Sequence, residues 1–120
     1  MRLLLDHHCL EAEQIGQVLV VTFVDRELLE ETAIQAIGEQ LAALVERLTR
    51  PQLVLNLGGI EKLSTMLLSK IVALHKKVRA ARGRLALCGI EPRLYEIFDI
   101  LKLPHLLPIY VEEQEALQTF

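Results

Sequence analysis

The sequence predicts an α/β fold in one domain: a mostly parallel mixed sheet of about five strands, an N-terminal antiparallel hairpin and about four helices. Three observations carry the prediction. Short apolar runs at residues 18–23, 53–57 and 85–88 have the length and composition of buried strands. Stretches with apolar residues at helical spacing separate these runs, which gives the alternation of a parallel sheet with right-handed crossovers. The first run is preceded, across the turn dipeptide Gly16-Gln17, by residues 9–15, which alternate apolar and polar as a half-buried strand does.

In chain order, residues 9–15 and 18–23 form the hairpin. Residues 24–31 read as a polar connector carrying Asp25, Glu27, Glu30 and Glu31. A helix is expected from Thr32, with Ile34, Ile37, Leu41, Leu44, Val45 and Leu48 on its inner face. Gly38 lies inside it at a cost of about 1 kcal/mol relative to Ala. Pro51 closes the helix, because proline disfavours helical backbone in the residue before it. The strand at residues 53–57 runs into a loop opened by Gly58-Gly59. Ser64 is the expected N-cap of a second helix, whose inner face holds Leu67, Leu68, Ile71, Leu74, His75 and Val78. Lys76, Lys77, Arg79 and Arg82 suit its C-terminal dipole, and Gly83 is the expected left-handed residue after it.

After the strand at 85–88, a short helix starts at Pro92 and turns Leu94, Ile97, Phe98 and Leu101 inward, with Pro104 ending it. Residues 107–111 suit an edge strand, since Pro108 cannot serve a central ladder. Residues 112–120 form a last short helix with acids at its positive end. Ile37, Leu41, Leu44, Leu55, Leu67, Ile71 and Phe98 are expected in one core, and Leu44→Ala is expected to cost ~2–5 kcal/mol.

With 120 residues and 52% apolar content, the chain is one domain, 1–120, with a real core. It lacks a run long enough to span a membrane, and residues 1–5 are too short for a signal peptide, so a cytoplasmic protein is expected. The net charge of −3 argues against nucleic acid as a partner. Cys9 and Cys88 suit buried or free thiols. The adjacent His7, His8 and Cys9 would point to opposite faces of a strand, which is poor geometry for one metal ion. Gly58-Gly59 lacks the lysine and hydroxyl of a P-loop and the third glycine of a dinucleotide fingerprint, which leaves a flexible connection. No grouping of carboxylates, Cys-His or Ser-His-Asp is placed for catalysis, so neither an enzyme nor a cofactor is expected.

Residues 53–68 resemble the core motif of STAS domains, the anti-sigma-factor-antagonist family. In that family an apolar strand ends in Asp or Asn and Leu, a loop follows, and Asp-Ser-Ser-Gly-Leu opens a helix. Asn56-Leu57 stands at the strand end and Ser64-Thr65-Met66-Leu67-Leu68 at the helix start. Ser64 replaces the Asp, Met66 the second Ser and Leu67 the Gly. Residues 83–90 and 91–98 are similar to the family's fourth strand and third helix, and the resemblance runs roughly over residues 10–120.

The resemblance implies a βα superhelix and a module that works by protein–protein binding. Its partner would be a serine/threonine kinase of the histidine-kinase-like ATPase type that also serves as an anti-sigma factor. The implied phosphorylation site is Thr65, with Ser64 as the second choice. The implied partner surface comprises Asp25, Glu30, Gly58, Gly59, Ser64, Thr65 and Met66. Leu29 falls where the family carries an acidic residue, and Asp25 or Glu30 would substitute. The implied state is a monomer or weak dimer without direct membrane insertion. The family also supplies soluble subunits of transport and lipid-trafficking complexes, which need no phosphorylation.

Overall fold

The structure, a computed structural model, describes residues 2–4 and 10–120. The described residues form a six-stranded sheet in the order β1 (Arg2–Leu4), β2 (Leu10–Ile15), β3 (Val18–Phe23), β5 (Gln52–Asn56), β7 (Arg84–Cys88), β8 (Ile109–Tyr110). A separate parallel pair joins β4 (Glu27–Leu28) to β6 (Lys62–Leu63). β1, β2 and β3 are antiparallel, and β3, β5, β7 and β8 are parallel. The hairpin, the parallel remainder and the four helices α1 (Glu31–Glu46), α2 (Thr65–Ala80), α3 (Pro92–Ile100) and α4 (Glu113–Leu117) match the expectation from sequence. The sheet has one strand more than expected, because β1 precedes the hairpin. His7, His8 and Cys9 lie outside the described residues.

Successive parallel strands are neighbours, so right-handed crossovers put α1, α2 and α3 on the same face. Strand alternation divides the apolar residues accordingly. Val21, Leu53, Leu55 and Leu87 meet Ile34, Ile37, Leu41, Leu67, Ile71, Val78 and Phe98 in the main core. Val18, Val20, Val54, Ala86 and Cys88 point to the other face, where Ala116, Leu117 and Phe120 cover them. Arg84 ties down that cover: its guanidinium donates to the Thr119 carbonyl at 2.9 Å and stacks 4.6 Å from the Phe120 ring. Burial, followed by the nearby Glu113 carboxylate, pushes the Cys88 thiol up to about 12, so it stays protonated.

Several expectations are corrected. Leu44 is half-buried at the margin of the core, because the inner stripe of α1 runs through Ile34, Ile37, Leu41 and Val45. The left-handed residue after α2 is Arg82 (φ 62°), one position before Gly83. The Arg82 and Gly83 amides donate to Arg79 and Val78 carbonyls at 3.0 and 2.8 Å, which closes a Schellman turn. Gly83 is required for another reason: a Cβ there would stand 2.0 Å from the Pro51 carbonyl oxygen. Helix α3 ends at Ile100, where Lys102 (φ 59°) reverses the chain, and Pro104 sits inside a following 3₁₀ turn (Leu103–His105). Gly38 leaves room for the Lys70 stem, whose Cδ would lie 3.0 Å from an added Cβ.

Candidate functional site

Residues 24–31 and 58–64 are not free loops. Leu28, Leu57 and Ile60 are fully buried and Leu63 nearly so, which pins both segments to the core. Their backbones then pair: Glu61 N–H donates to the Arg26 carbonyl at 2.6 Å and Ser64 N–H to the Leu28 carbonyl at 2.9 Å. Lys62 and Glu27 add an exposed ion pair at 3.7 Å. Two-residue strands carry too little pattern to be read from sequence, so β4 and β6 were missed. Their pairing carries the acidic connector to the start of α2.

Ser64 occupies the N-cap position (φ −95°, ψ 159°), yet its side chain makes no cap hydrogen bond. Its Oγ is shielded from solvent and has no hydrogen-bond partner among the described residues. The capping expectation is therefore corrected: the contact with Leu28 fixes Ser64 through its backbone. Thr65 begins the helix and is exposed. Met66 is half-buried and packs on the core, while Leu67 and Leu68 are buried and hold the first turn down. The side chains of the first turn carry no acidic group to meet the positive end of the dipole, and of its amides Leu67 N–H donates to the Ser64 carbonyl at 3.1 Å.

Asp25 and Glu30 are exposed on either side of β4, the strand that pairs with β6 just before Thr65. Gly58 and Gly59 are placed differently. Asn56 Oδ1 accepts from Gly58 N–H at 2.8 Å, and Asn56 Nδ2 donates to Glu113 Oε1 at 2.9 Å. A Cβ at Gly89 would lie 2.7 Å from Asn56 Oδ1, so the two glycine turns pack around one amide. Gly59 (φ +93°) lines a cleft of about 510 Å³ with Arg26, Glu61, Gly89, Glu91 and Val111. The glycine loop is thus a fixed turn facing the start of α3, and the expectation of a flexible connection is corrected.

A second feature escaped the sequence reading. Thr65, Leu68, Ser69, Val72, Leu101 and Leu103 line a mainly apolar groove of about 430 Å³. Leu101 was expected inward by helical spacing. It is 47% exposed, because α3 ends one residue earlier and the chain turns away. The groove puts an apolar surface directly beside the exposed Thr65 hydroxyl.

This singly wound sheet, with an exposed hydroxyl at the start of its second main helix, has the architecture of a small binding module. The chain belongs to the STAS domain family, whose model matches residues 10–116. It is 30% identical over 81 residues to BtrV of Bordetella bronchiseptica, named as an anti-sigma factor antagonist, covering 68% of this chain and 69% of that one. A solved STAS-domain anti-sigma-factor antagonist of Planctomyces limnophilus superposes with a TM-score of 0.81 at 22% identity, over 92% of this chain and 96% of that one. The phosphorylated form of the Bacillus cell fate determinant SpoIIAA superposes with a TM-score of 0.69 at 16% identity, over 92% and 97%. Among the described residues no helix is long and apolar enough to cross a membrane.

Proposed function

We propose that the chain is a protein-interaction module of the anti-sigma-factor-antagonist type, not an enzyme. Its partner is an anti-sigma factor that is also a serine/threonine kinase of the histidine-kinase-like ATPase type. The unmodified module binds that partner through the rim formed by Asp25, Glu30, Ser64, Thr65 and the adjoining groove, and phosphorylation of Thr65 weakens the complex. The observation that carries this reading is the contrast between two neighbouring hydroxyls: Thr65 is exposed at a helix start that carries no acidic side chain, whereas Ser64 Oγ is shielded. The name of the Bordetella relative supports the partner class. A phosphate on Thr65 would add about two negative charges next to the acidic connector while finding amides to accept from, so its effect falls on the partner and not on the fold.

Incubation with ATP and the cognate kinase, followed by intact mass measurement, tests the reading. Thr65→Ala should abolish the mass gain and keep binding. Thr65→Glu should weaken binding by about tenfold with little change in melting temperature. Hydrogen exchange over residues 58–68 that stays unchanged in the complex would show that the partner docks elsewhere. A membrane-associated complex with no mass gain would favour the transport-subunit reading.

A further inference from the structure

Helix α2 carries a titratable ring that the proposed partner surface does not use. His75 is half-buried, one turn beyond Val72, which lines the groove beside Thr65. Its Nδ1 is shielded from solvent and has no hydrogen-bond partner among the described residues. A backbone hydrogen bond joins the ring to Leu106. With Nδ1 unpartnered, that bond falls to Nε2–H, which donates to the Leu106 carbonyl. The ring is therefore the neutral tautomer with its proton on Nε2 and a shielded lone pair on Nδ1.

What the ring holds is a short turn. Helix α3 ends at Ile100 and Lys102 (φ 59°) reverses the chain. Leu106 N–H and Leu107 N–H then donate to the Leu103 carbonyl at 2.9 and 3.1 Å, which closes the turn. Leu103 and Leu107 are buried and pin it to the core, while Leu101, Lys102, His105 and Leu106 are exposed. Leu101 and Leu103 also supply one wall of the groove, and α2 supplies the other through Thr65, Leu68, Ser69 and Val72. The bond from His75 to Leu106 thus ties the wall made by the turn to the wall made by the helix.

A proton on Nδ1 would put a charged N–H where no acceptor stands. Arg79, one turn further along α2, adds a like charge. The turn itself brings Lys102 and His105, and Asp99 lies in the last turn of α3. Burial first and Arg79 second push the ring below its ordinary value of 6.5, against the opposing bond to Leu106. We propose that His75 is a pH-sensitive latch: its neutral ring holds the 101–107 turn against α2, and its protonation releases the turn and, with it, one wall of the groove beside Thr65. The ring must rotate outward to solvate the new N–H, and that rotation breaks the bond to Leu106. The closed form binds the proton less tightly than the open one. Its advantage is therefore complete above pH 6.5 and is lost as the pH falls through the lower value of the closed form. The latch concerns the unmodified chain, so it stands or falls apart from phosphorylation of Thr65.

NMR of the full, unmodified chain tests the latch by ring titration and by amide exchange, corrected for the intrinsic pH dependence of exchange. His75 should show the neutral Nε2–H tautomer and titrate below pH 6.5. Across that titration the amides of His105, Leu106 and Leu107 should lose protection several-fold, while those of β5 and β7 keep theirs because the sheet stays folded. His75→Gln replaces Nε2–H by an uncharged amide donor and should make protection of the turn independent of pH over the same range. His75→Phe removes the donor and should leave the turn poorly protected at every pH. Melting curves check that both variants fold. A His75 that titrates at or above pH 6.5, or whose neutral ring carries its proton on Nδ1, overturns the proposal without recourse to a variant. So does a pH-dependent loss of protection that persists in His75→Gln, or a turn in His75→Phe as well protected at neutral pH as in the wild type.

Discussion

At the start of α4, Glu112 and Glu115 form a capping box, with Glu112 N–H donating to Glu115 Oε1 at 3.1 Å. At the start of α2, the Ser64 hydroxyl makes no such bond and points away from solvent, while Thr65 faces it. The difference follows from what holds each helix. Helix α4 has five residues, too few to persist alone, and buries little beyond Ala116. It needs its local cap, the Asn56–Glu113 bond and the Arg84 contacts to its tail. Helix α2 has sixteen residues and five buried apolar side chains, so packing holds it without help from its first residue. On the proposed reading, the exposed Thr65 hydroxyl is the group offered to the partner. Helices α1 and α3, which also bury apolar side chains, begin without a side-chain cap as well, so the local cap is kept only at the shortest helix.

The largest test removes the packing itself. Ile71 is fully buried in the centre of α2, and Ile71→Ala should cost ~2–5 kcal/mol in a urea melt. A cost below ~1 kcal/mol would mean that something other than the inner face holds α2, and the contrast with α4 would collapse.

A smaller effect is expected at the other helix. Glu115→Ala removes one arm of the capping box and should cost ~0.5–2 kcal/mol, with faster hydrogen exchange confined to α4 and the end of the chain. Unchanged exchange there would show that Arg84 and Asn56 suffice to hold α4.

The hairpin strands and the central parallel strands β5 and β7 were legible because each is a run of five or six residues with one dominant pattern. The inner faces of α1 and α2 were legible through Ile37, Leu41, Leu67 and Ile71, which recur at helical spacing. The site was legible as a position in the chain and not as a geometry. That Thr65 opens a helix follows from local pattern; where the Ser64 hydroxyl points depends on Leu28, thirty-six positions earlier. The groove depends on α3 stopping at Ile100, which is set by the left-handed Lys102, a residue with no marked preference for that conformation. Periodicity carried through that reversal assigns Leu101 to the wrong side.

The smallest effect is the most discriminating. If Ser64 were a working N-cap, Ser64→Ala would cost about 1 kcal/mol, as the loss of such a cap does elsewhere. Its hydroxyl makes no hydrogen bond to the first turn, and its position is set by the backbone bond from Ser64 N–H to Leu28, which alanine keeps. Alanine also removes a polar atom that is shielded without a partner among the described residues, which favours the variant. The two considerations together predict a change within ~0.5 kcal/mol of zero in a urea melt. The same variant should keep its kinase-dependent mass gain, since the proposed acceptor is Thr65. A loss near the full cap value would place the Ser64 hydroxyl on the first-turn amides in solution. The start of α2 would then be built like that of α4, and Thr65 would stand beside amides already occupied.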